Sequence, residues 1–439
     1  MYNISKVFQR PLSFGRWKTN NLLQSNFTSL QQELITEVIN MKNFVKAMAV
    51  VCSLALVACC FAGCGAGAKN YTSGNTTFVI GASGPLTGGA GVYGQGVKNG
   101  AQMAVDEINE KGGLNGVKFS LEMMDDKNDA SNVSVNFSTL LEKGMQVSLG
   151  CVTTNPCLEF KNLSKDENVF FITPSASNDK VSEYDNAYQM CFADGNQGKA
   201  AAEYVKGSYA GQTIGVLYKS DDAYSTGILE QFKQTIGSDV KLVEASFQGE
   251  NVTSFDSQIN TLKDCKFIFM PIYYTPASQF MAQAKNTIAA DAVYYGCDGL
   301  DGIDNINGFD IYTIPQEISY LSHFNSKATE GPASEFVKKY IAKYGADTLN
   351  QFGASAYDCV YAIYDAMKQA GDKVTGVTMS ASDLCEVLKG VFNGGFKFTG
   401  VTGEYKDGVQ SSITWESNGF VNKSAVKYVV KAAGATKAN

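Results

Sequence analysis

Apolar positions along the chain follow two alternating rhythms. Thr77-Phe78-Val79-Ile80-Gly81-Ala82 is an unbroken apolar run ending in a Gly/Ser/Pro turn, the pattern of a buried strand. Val97, Ala101, Ala104 and Ile108 then recur at helical spacing and stop at Lys111-Gly112-Gly113. Val117, Phe119, Leu121 and Met123 alternate as a strand up to Asp125-Asp126. The pattern continues as helix 130–143, strand 146–150, helix 157–166 and strand 169–172. It pauses near 184–195. It restarts as strand 213–218, helix 225–236, strand 240–246, helix 254–263, strand 266–270, helix 276–286 and strand 292–295. Helical stretches follow at 332–344, 350–370 and 381–392, and a Gly-rich, strand-like stretch runs from Phe396 to Val430. Strictly alternating strands and helices predict an α/β fold with mostly parallel sheets covered by helices on both faces. Two units of similar size, with a return crossing late in the chain, predict two lobes joined by several strands.

The first sixty-odd residues carry a different pattern. Met41 opens a short basic segment (Lys42, Lys46), and Ala47 to Phe61 is apolar with small residues interspersed, ending in Phe61-Ala62-Gly63-Cys64. A charged start, an apolar stretch of this length and small residues before a cut site read as a signal peptide over 41–63. It is too short for a membrane-spanning helix. A cysteine directly after the small residues resembles a bacterial lipobox, which makes Cys64 the expected lipidation site, with Cys59 as the alternative. Residues 1–40 are expected to be an upstream segment outside the translated protein, which peptides from 1–40 in a proteome digest would contradict. Residues 64–75 read as a flexible tether.

Composition narrows the chemistry. The chain of 439 residues has 36 basic and 43 acidic side chains, a formal net charge of −7. An acidic chain without a basic block is a poor partner for nucleic acid. His323 is the single histidine, so a His-dependent triad or a multi-histidine metal site has nothing to be built from. Beyond the signal there are seven cysteines, Cys151, Cys157, Cys191, Cys265, Cys297, Cys359 and Cys385. Their odd number and scatter read as buried small hydrophobes, not a disulfide framework. Asp125-Asp126 and Asp221-Asp222 read as solvated loop ends, and the acids from Asp298 to Asp310 lack the alternation of a calcium loop. No catalytic group, metal or cofactor is expected.

In parallel α/β sheets ligands sit beyond the carboxyl ends of the strands. The loops there are small and hydroxylated: Ser83-Gly84-Pro85-Leu86-Thr87-Gly88, Thr153-Thr154-Asn155-Pro156, Thr173-Pro174-Ser175-Ala176-Ser177, Ser220-Asp221-Asp222-Ala223-Tyr224, Tyr273-Tyr274 and Cys297-Asp298. Neutral donors and helix N-termini suit a carboxylate, an acid suits an ammonium, and aromatic walls suit an apolar side chain. None of these loops holds a Lys or Arg.

The order Gly-x-Ser-Gly-Pro-Leu-Thr-Gly, Tyr93-Gly94, Asp106-Glu107-Ile108-Asn109-x-Lys111-Gly112-Gly113, Val152-Thr153-Thr154, Ile172 to Ser177, Asp194-x-x-Gln197-Gly198 and Gly400-Val401-Thr402-Gly403 resembles the type I periplasmic binding proteins. Within them it is similar to the solute-binding lipoproteins of branched-chain amino-acid ABC transporters. The resemblance covers about Thr76 to Asn422. It implies two Rossmann-like lobes joined by three hinge crossings, with 76–193 plus 323–400 in lobe 1, 194–322 plus 401–432 in lobe 2, and a tail at 433–439. It also implies a ligand carboxylate held by Thr154 and Ser177 with backbone contacts from Thr153 and Ala176, and an ammonium held by Asp298, where branched-chain members often have Glu. The side-chain pocket falls to Tyr93, Tyr224, Tyr274 and Phe352, with Tyr273 competing with Tyr274. Asp194 and Gln197 fall at a hinge or cap position. Asn128 and Thr153 stand where some members carry a disulfide.

The expectation is therefore a monomeric, lipid-anchored binding protein on the outer face of the membrane. It would bind an aliphatic amino acid and dock on ABC permease and ATPase subunits. The alternative is a sensory module of the same fold for amides, urea or aromatic acids.

Overall fold

The computed structural model describes residues 71–436. The signal segment, Cys59 and Cys64 lie outside the described residues. The chain first builds β1 (Phe78–Gly84), α1 (Gly91–Glu110), β2 (Phe119–Asp125), α2 (Val133–Glu142), β3 (Val147–Cys151), α3 (Thr154–Asp166), β4 (Phe171–Thr173) and β5 (Ala187–Gln189). It then crosses to α4 (Asp194–Ser208), β6 (Ile214–Lys219), α5 (Ala223–Ile236), β7 (Leu242–Phe247), α6 (Asp256–Leu262), β8 (Phe267–Met270), α7 (Tyr274–Ala284), β9 (Val293–Gly296) and β10 (Glu317–Ser322). The helices α8 (Gly331–Tyr344), α9 (Gln351–Ala370) and α10 (Ala381–Asn393) follow, then the short pair β11 (Tyr405–Lys406) and β12 (Val409–Gln410), and last β13 (Val426–Lys431).

The first sheet has the order β2-β1-β3-β4-β5 and is parallel throughout. The second reads β7-β6-β8-β9-β10-β13, parallel except for β13, which runs antiparallel at the edge. Counted from its own first strand, each sheet has the doubly wound order 2-1-3-4-5, to which the second adds β13 as a sixth strand at the edge. Chain direction across such a sheet reverses on either side of its first strand, which opens a crevice at the carboxyl ends of the first and third strands. The openings therefore lie beyond β1 and β3 in one sheet and beyond β6 and β8 in the other.

Burial follows the periodicity. Phe78, Val79 and Ile80 of β1 are inside, and so are Tyr93, Val97, Ala101, Ala104 and Ile108 of α1. The late helices return to the first sheet: Phe352, Ala356, Val360 and Ile363 of α9 and Leu384 and Leu388 of α10 share one core with Ile80, Leu149 and Ile172. α9 crosses α1 at bare backbone, since a Cβ on Gly100 would lie 1.9 Å from the Gly353 carbonyl oxygen. This close approach brings the first turns of both helices together, with the rings of Tyr93 and Phe352 5.2 Å apart and nearly perpendicular.

Three features depart from the sequence pattern. β5 falls in the expected pause and β10 was not expected. β5 has only three residues, too few for a periodicity to show, and β10 is buried along almost its whole length, so no alternation marks it. The C-terminal stretch is not continuous strand. Trp415 donates its indole N–H to the Gln189 carbonyl (2.8 Å), and the Gln189 amide donates to Gly419 (3.0 Å). This part of the chain thus lies along β5, and pairing with the second sheet begins at β13, later than the expected change of lobe at 401. Finally, Asp126 and Asp222 are buried instead of solvated. Asp126 accepts the Ser83 hydroxyl (3.0 Å) and the Asn128 amide (2.9 Å), tying β1 to the end of β2, and burial pushes its pKa up to about 6. Asp222 caps α5 through the Tyr224 amide (2.9 Å).

Candidate functional site

The openings of the two sheets meet at one small cavity. The first sheet and its helices contribute Tyr93, Val152, Thr153, Thr154, Ser175, Ser177 and Phe352; the second contributes Tyr224, Tyr273, Asp298 and Gly299. No Lys or Arg is among these lining residues.

The hydroxyl side is built by two loops tied together. Thr173, at the end of β4, donates its hydroxyl to the Cys151 carbonyl at the end of β3 (2.9 Å) and accepts the amide of Ala176 (3.0 Å). This holds the loop that carries Ser177 against the one that carries Thr153 and Thr154. α3 begins at Thr154, with Thr153 as its extended N-cap residue, yet the Thr153 side chain makes no capping bond. Its Oγ1 is buried without a partner, at 3% exposure of the residue. A threonine at an N-cap ordinarily turns its oxygen onto the helix amides. Here Thr153 and Thr154, the N-cap and first residue of α3, both line the cavity.

The acidic side is Asp298, two residues beyond the end of β9 and 1% exposed. Its Oδ1 accepts the Tyr224 hydroxyl (2.7 Å), its amide donates to Gln197 Oε1 (2.9 Å), and its Oδ2 has no partner. Burial without a cation pushes its pKa up to about 7. Gly299 is required beside it, because a Cβ there would meet the Tyr224 hydroxyl at 2.7 Å. The Gly299 amide donates to that hydroxyl (2.8 Å), and Tyr93 donates its own to the Gly299 carbonyl. Tyr224 and Tyr273 stack at 4.9 Å, and Tyr93 meets Tyr273 edge-on at 5.6 Å. The loops of the two sheets also touch directly: Asn155 Oδ1 accepts the Ala223 amide (3.1 Å), and Asn178 donates to the Ala223 carbonyl (3.0 Å).

The structure thus brings together Thr153, Thr154, Ser177, Asp298, Tyr93, Tyr224 and Phe352. It does not put Ala176 or Tyr274 on the cavity. The Ala176 amide is used by Thr173. Tyr274 starts α7 and accepts the Val92 amide with its hydroxyl (3.2 Å), so Tyr273 takes the wall instead. Val152, Ser175 and Gly299 line the cavity without having been assigned a role; Val152 and Ser175 lie within the motifs quoted above, and Gly299 sits next to Asp298. Asp194 and Gln197 lie behind the cavity, fully buried in the first turn of α4, and burial holds Asp194 well above the usual carboxylate range.

The periplasmic binding protein family model matches residues 77–404. The chain is similar to the Leu/Ile/Val-binding protein BraC3 of Rhizobium johnstonii, 26% identical over 353 residues, 78% of this chain and 92% of that protein. Among solved structures it resembles the leucine-binding protein LivK of Thermotoga maritima (TM-score 0.69, 21% identity, 82% of this chain and 97% of that one). It also resembles an R. palustris ABC transporter solute-binding protein in complex with benzoate (TM-score 0.66, 16% identity, 81% and 94%). Mostly parallel sheets flanked by helices are the fold shared with these neighbours, and the chain belongs to the periplasmic binding protein family.

Proposed function

We propose that this protein captures a small neutral α-amino acid between its two lobes and delivers it to an ABC permease. The observation that carries the reading is the pair of unpartnered polar atoms in one cation-free cavity, the Asp298 Oδ2 and the Thr153 hydroxyl. A buried acceptor and a buried donor left unmade each cost free energy that a zwitterion recovers. In this reading Thr153, Thr154 and Ser177 hold the carboxylate, Asp298 holds the ammonium, and Tyr93, Tyr224, Tyr273 and Phe352 enclose the side chain. The ligand favours the closed arrangement because it contacts both lobes. A lipid on Cys64, or on Cys59, tethers the protein to the outer face of the membrane, and no helix of the described residues is long and apolar enough to cross one. The names of the similar proteins support leucine, isoleucine and valine as the first cargo to test.

The test is thermal unfolding against a panel of amino acids, amides, urea and aromatic acids. A ligand at about 100 times its dissociation constant adds roughly 2.7 kcal/mol. A shift with a small neutral amino acid supports the reading. The ring-lined cavity and the benzoate complex of one neighbour favour aromatic acids as the second reading. A shift with these alone removes the ammonium role from Asp298.

A further inference from the structure

The first turn of α4 touches both ends of the site without lining it. Asp194 opens the helix directly after the chain leaves the first sheet. Its amide donates to the Ser177 carbonyl (2.8 Å), and its Oδ2 accepts from Asn178 Nδ2 (3.3 Å). One turn later Gln197 accepts the Asp298 amide on its Oε1 (2.9 Å) and points its Nε2 back to Asp194 Oδ1 (3.5 Å). Asp194, Gln197, Ser177 and Asp298 are each at most 1% exposed. The backbone of Ser177 on one side of the site and that of Asp298 on the other are thereby joined through a single helical turn, a rigid spacer whose i and i+3 positions lie on one face.

Resting on the amino-acid reading above, we propose that Asp194 and Gln197 are positioning residues. They fix the distance between the carboxylate-binding and ammonium-binding ends, and so make the site selective for α-amino acids. An α-amino acid has one carbon between ammonium and carboxylate; a β-amino acid has two. The side-chain walls can adapt by moving rings, but a change of spacing between the charged ends strains the bonds through which Asp298 and the Ser177 loop are held. Selectivity of this kind comes from buried polar groups that a misfitted ligand leaves unpaired.

The experiment uses the full chain purified in detergent. Calorimetry measures L-leucine against L-β-homoleucine, and L-alanine against L-β-homoalanine, pairs with the same side chain and different spacing. The unmodified protein is expected to prefer the α form by at least about 100-fold, the loss of two or more buried bonds. Gln197→Leu fills the same space without either bond. It is expected to weaken the α form about tenfold and the β form by less, narrowing the ratio. Gln197→Glu keeps the acceptor for the Asp298 amide and is expected to restore much of the ratio. If Gln197→Leu does not fold, Asp194→Asn takes its place and must narrow the ratio in the same direction. Equal weakening of both forms, or an unchanged ratio, overturns the proposal and leaves the amino-acid reading standing. Failure of the unmodified protein to bind any of the four probes overturns that reading and the proposal with it.

Discussion

The stability of ligand-free Asp298→Asn, relative to the unmodified protein, is expected to rise with pH and to exceed it at about pH 8. In an unfolded chain an aspartate titrates near 3.9. In the folded protein burial holds Asp298 at about 7. Between about pH 4 and 7 the folded state therefore binds the extra proton, and the stability linked to this group falls as pH rises through that window. With three units between the two states, ionising the buried carboxylate costs about 4 kcal/mol by pH 8, against about 1 to 2 at pH 5. Asn cannot ionise. It leaves one amide N–H group unpaired where Oδ2 stood, a pH-independent cost of about 1–3 kcal/mol. The stability of Asp298→Asn relative to the unmodified protein should thus rise by roughly 3 kcal/mol from pH 5 to pH 8. Urea unfolding of both proteins, ligand-free, at each pH unit measures the difference directly. A difference flat across that range would mean that Asp298 is ionised at no cost in the empty site, and the argument for a missing cation would fail.

Other outcomes follow from the same geometry. Amino-acid affinity should weaken by up to tenfold per pH unit below about pH 7, with proton release on binding, since the ammonium requires an ionised Asp298; calorimetry in buffers of different ionisation heat reads both. Thr153→Val should leave stability unchanged or raise it by about 1 kcal/mol, because it removes an unpaired buried hydroxyl, while weakening amino-acid binding about tenfold. Thr173→Val should cost about 1–3 kcal/mol in urea unfolding, as the Ala176 amide and the Cys151 carbonyl lose their shared partner. Gly100→Ala should cost about 1–3 kcal/mol by forcing α1 and α9 apart, with a loss of affinity as Tyr93 and Phe352 separate.

The sequence made most of the fold readable because its strands and helices alternate with clear periods. Ile80 or Val97 announce their burial by spacing alone. β5 and β10 escaped because one is too short and the other too thoroughly buried to alternate. In the site, Thr154, Ser177 and Asp298 were legible as polar residues following strands. Tyr273 and Tyr274 were not separable, since neighbours at a strand-to-helix junction point in different directions and only the start of α7 decides which faces the cavity. The roles of Asp194 and Gln197 depend on which distant loops their helix turn faces. No local pattern records that, and a crossing position was as far as spacing could go.

The position of α9 and α10 late in the chain also has a kinetic side. The five strands of the first sheet are complete by Gln189, but the helices that share its core arrive only with residues 351–393. Contacts such as Gly100 on Gly353 close loops of some 250 residues, and folds governed by such distant pairings form slowly. Until residues 351–393 are present, that face of the sheet is covered by α1 alone. For a chain proposed to cross a membrane before folding, this delay keeps the emerging polypeptide extended and leaves the final collapse to the far side.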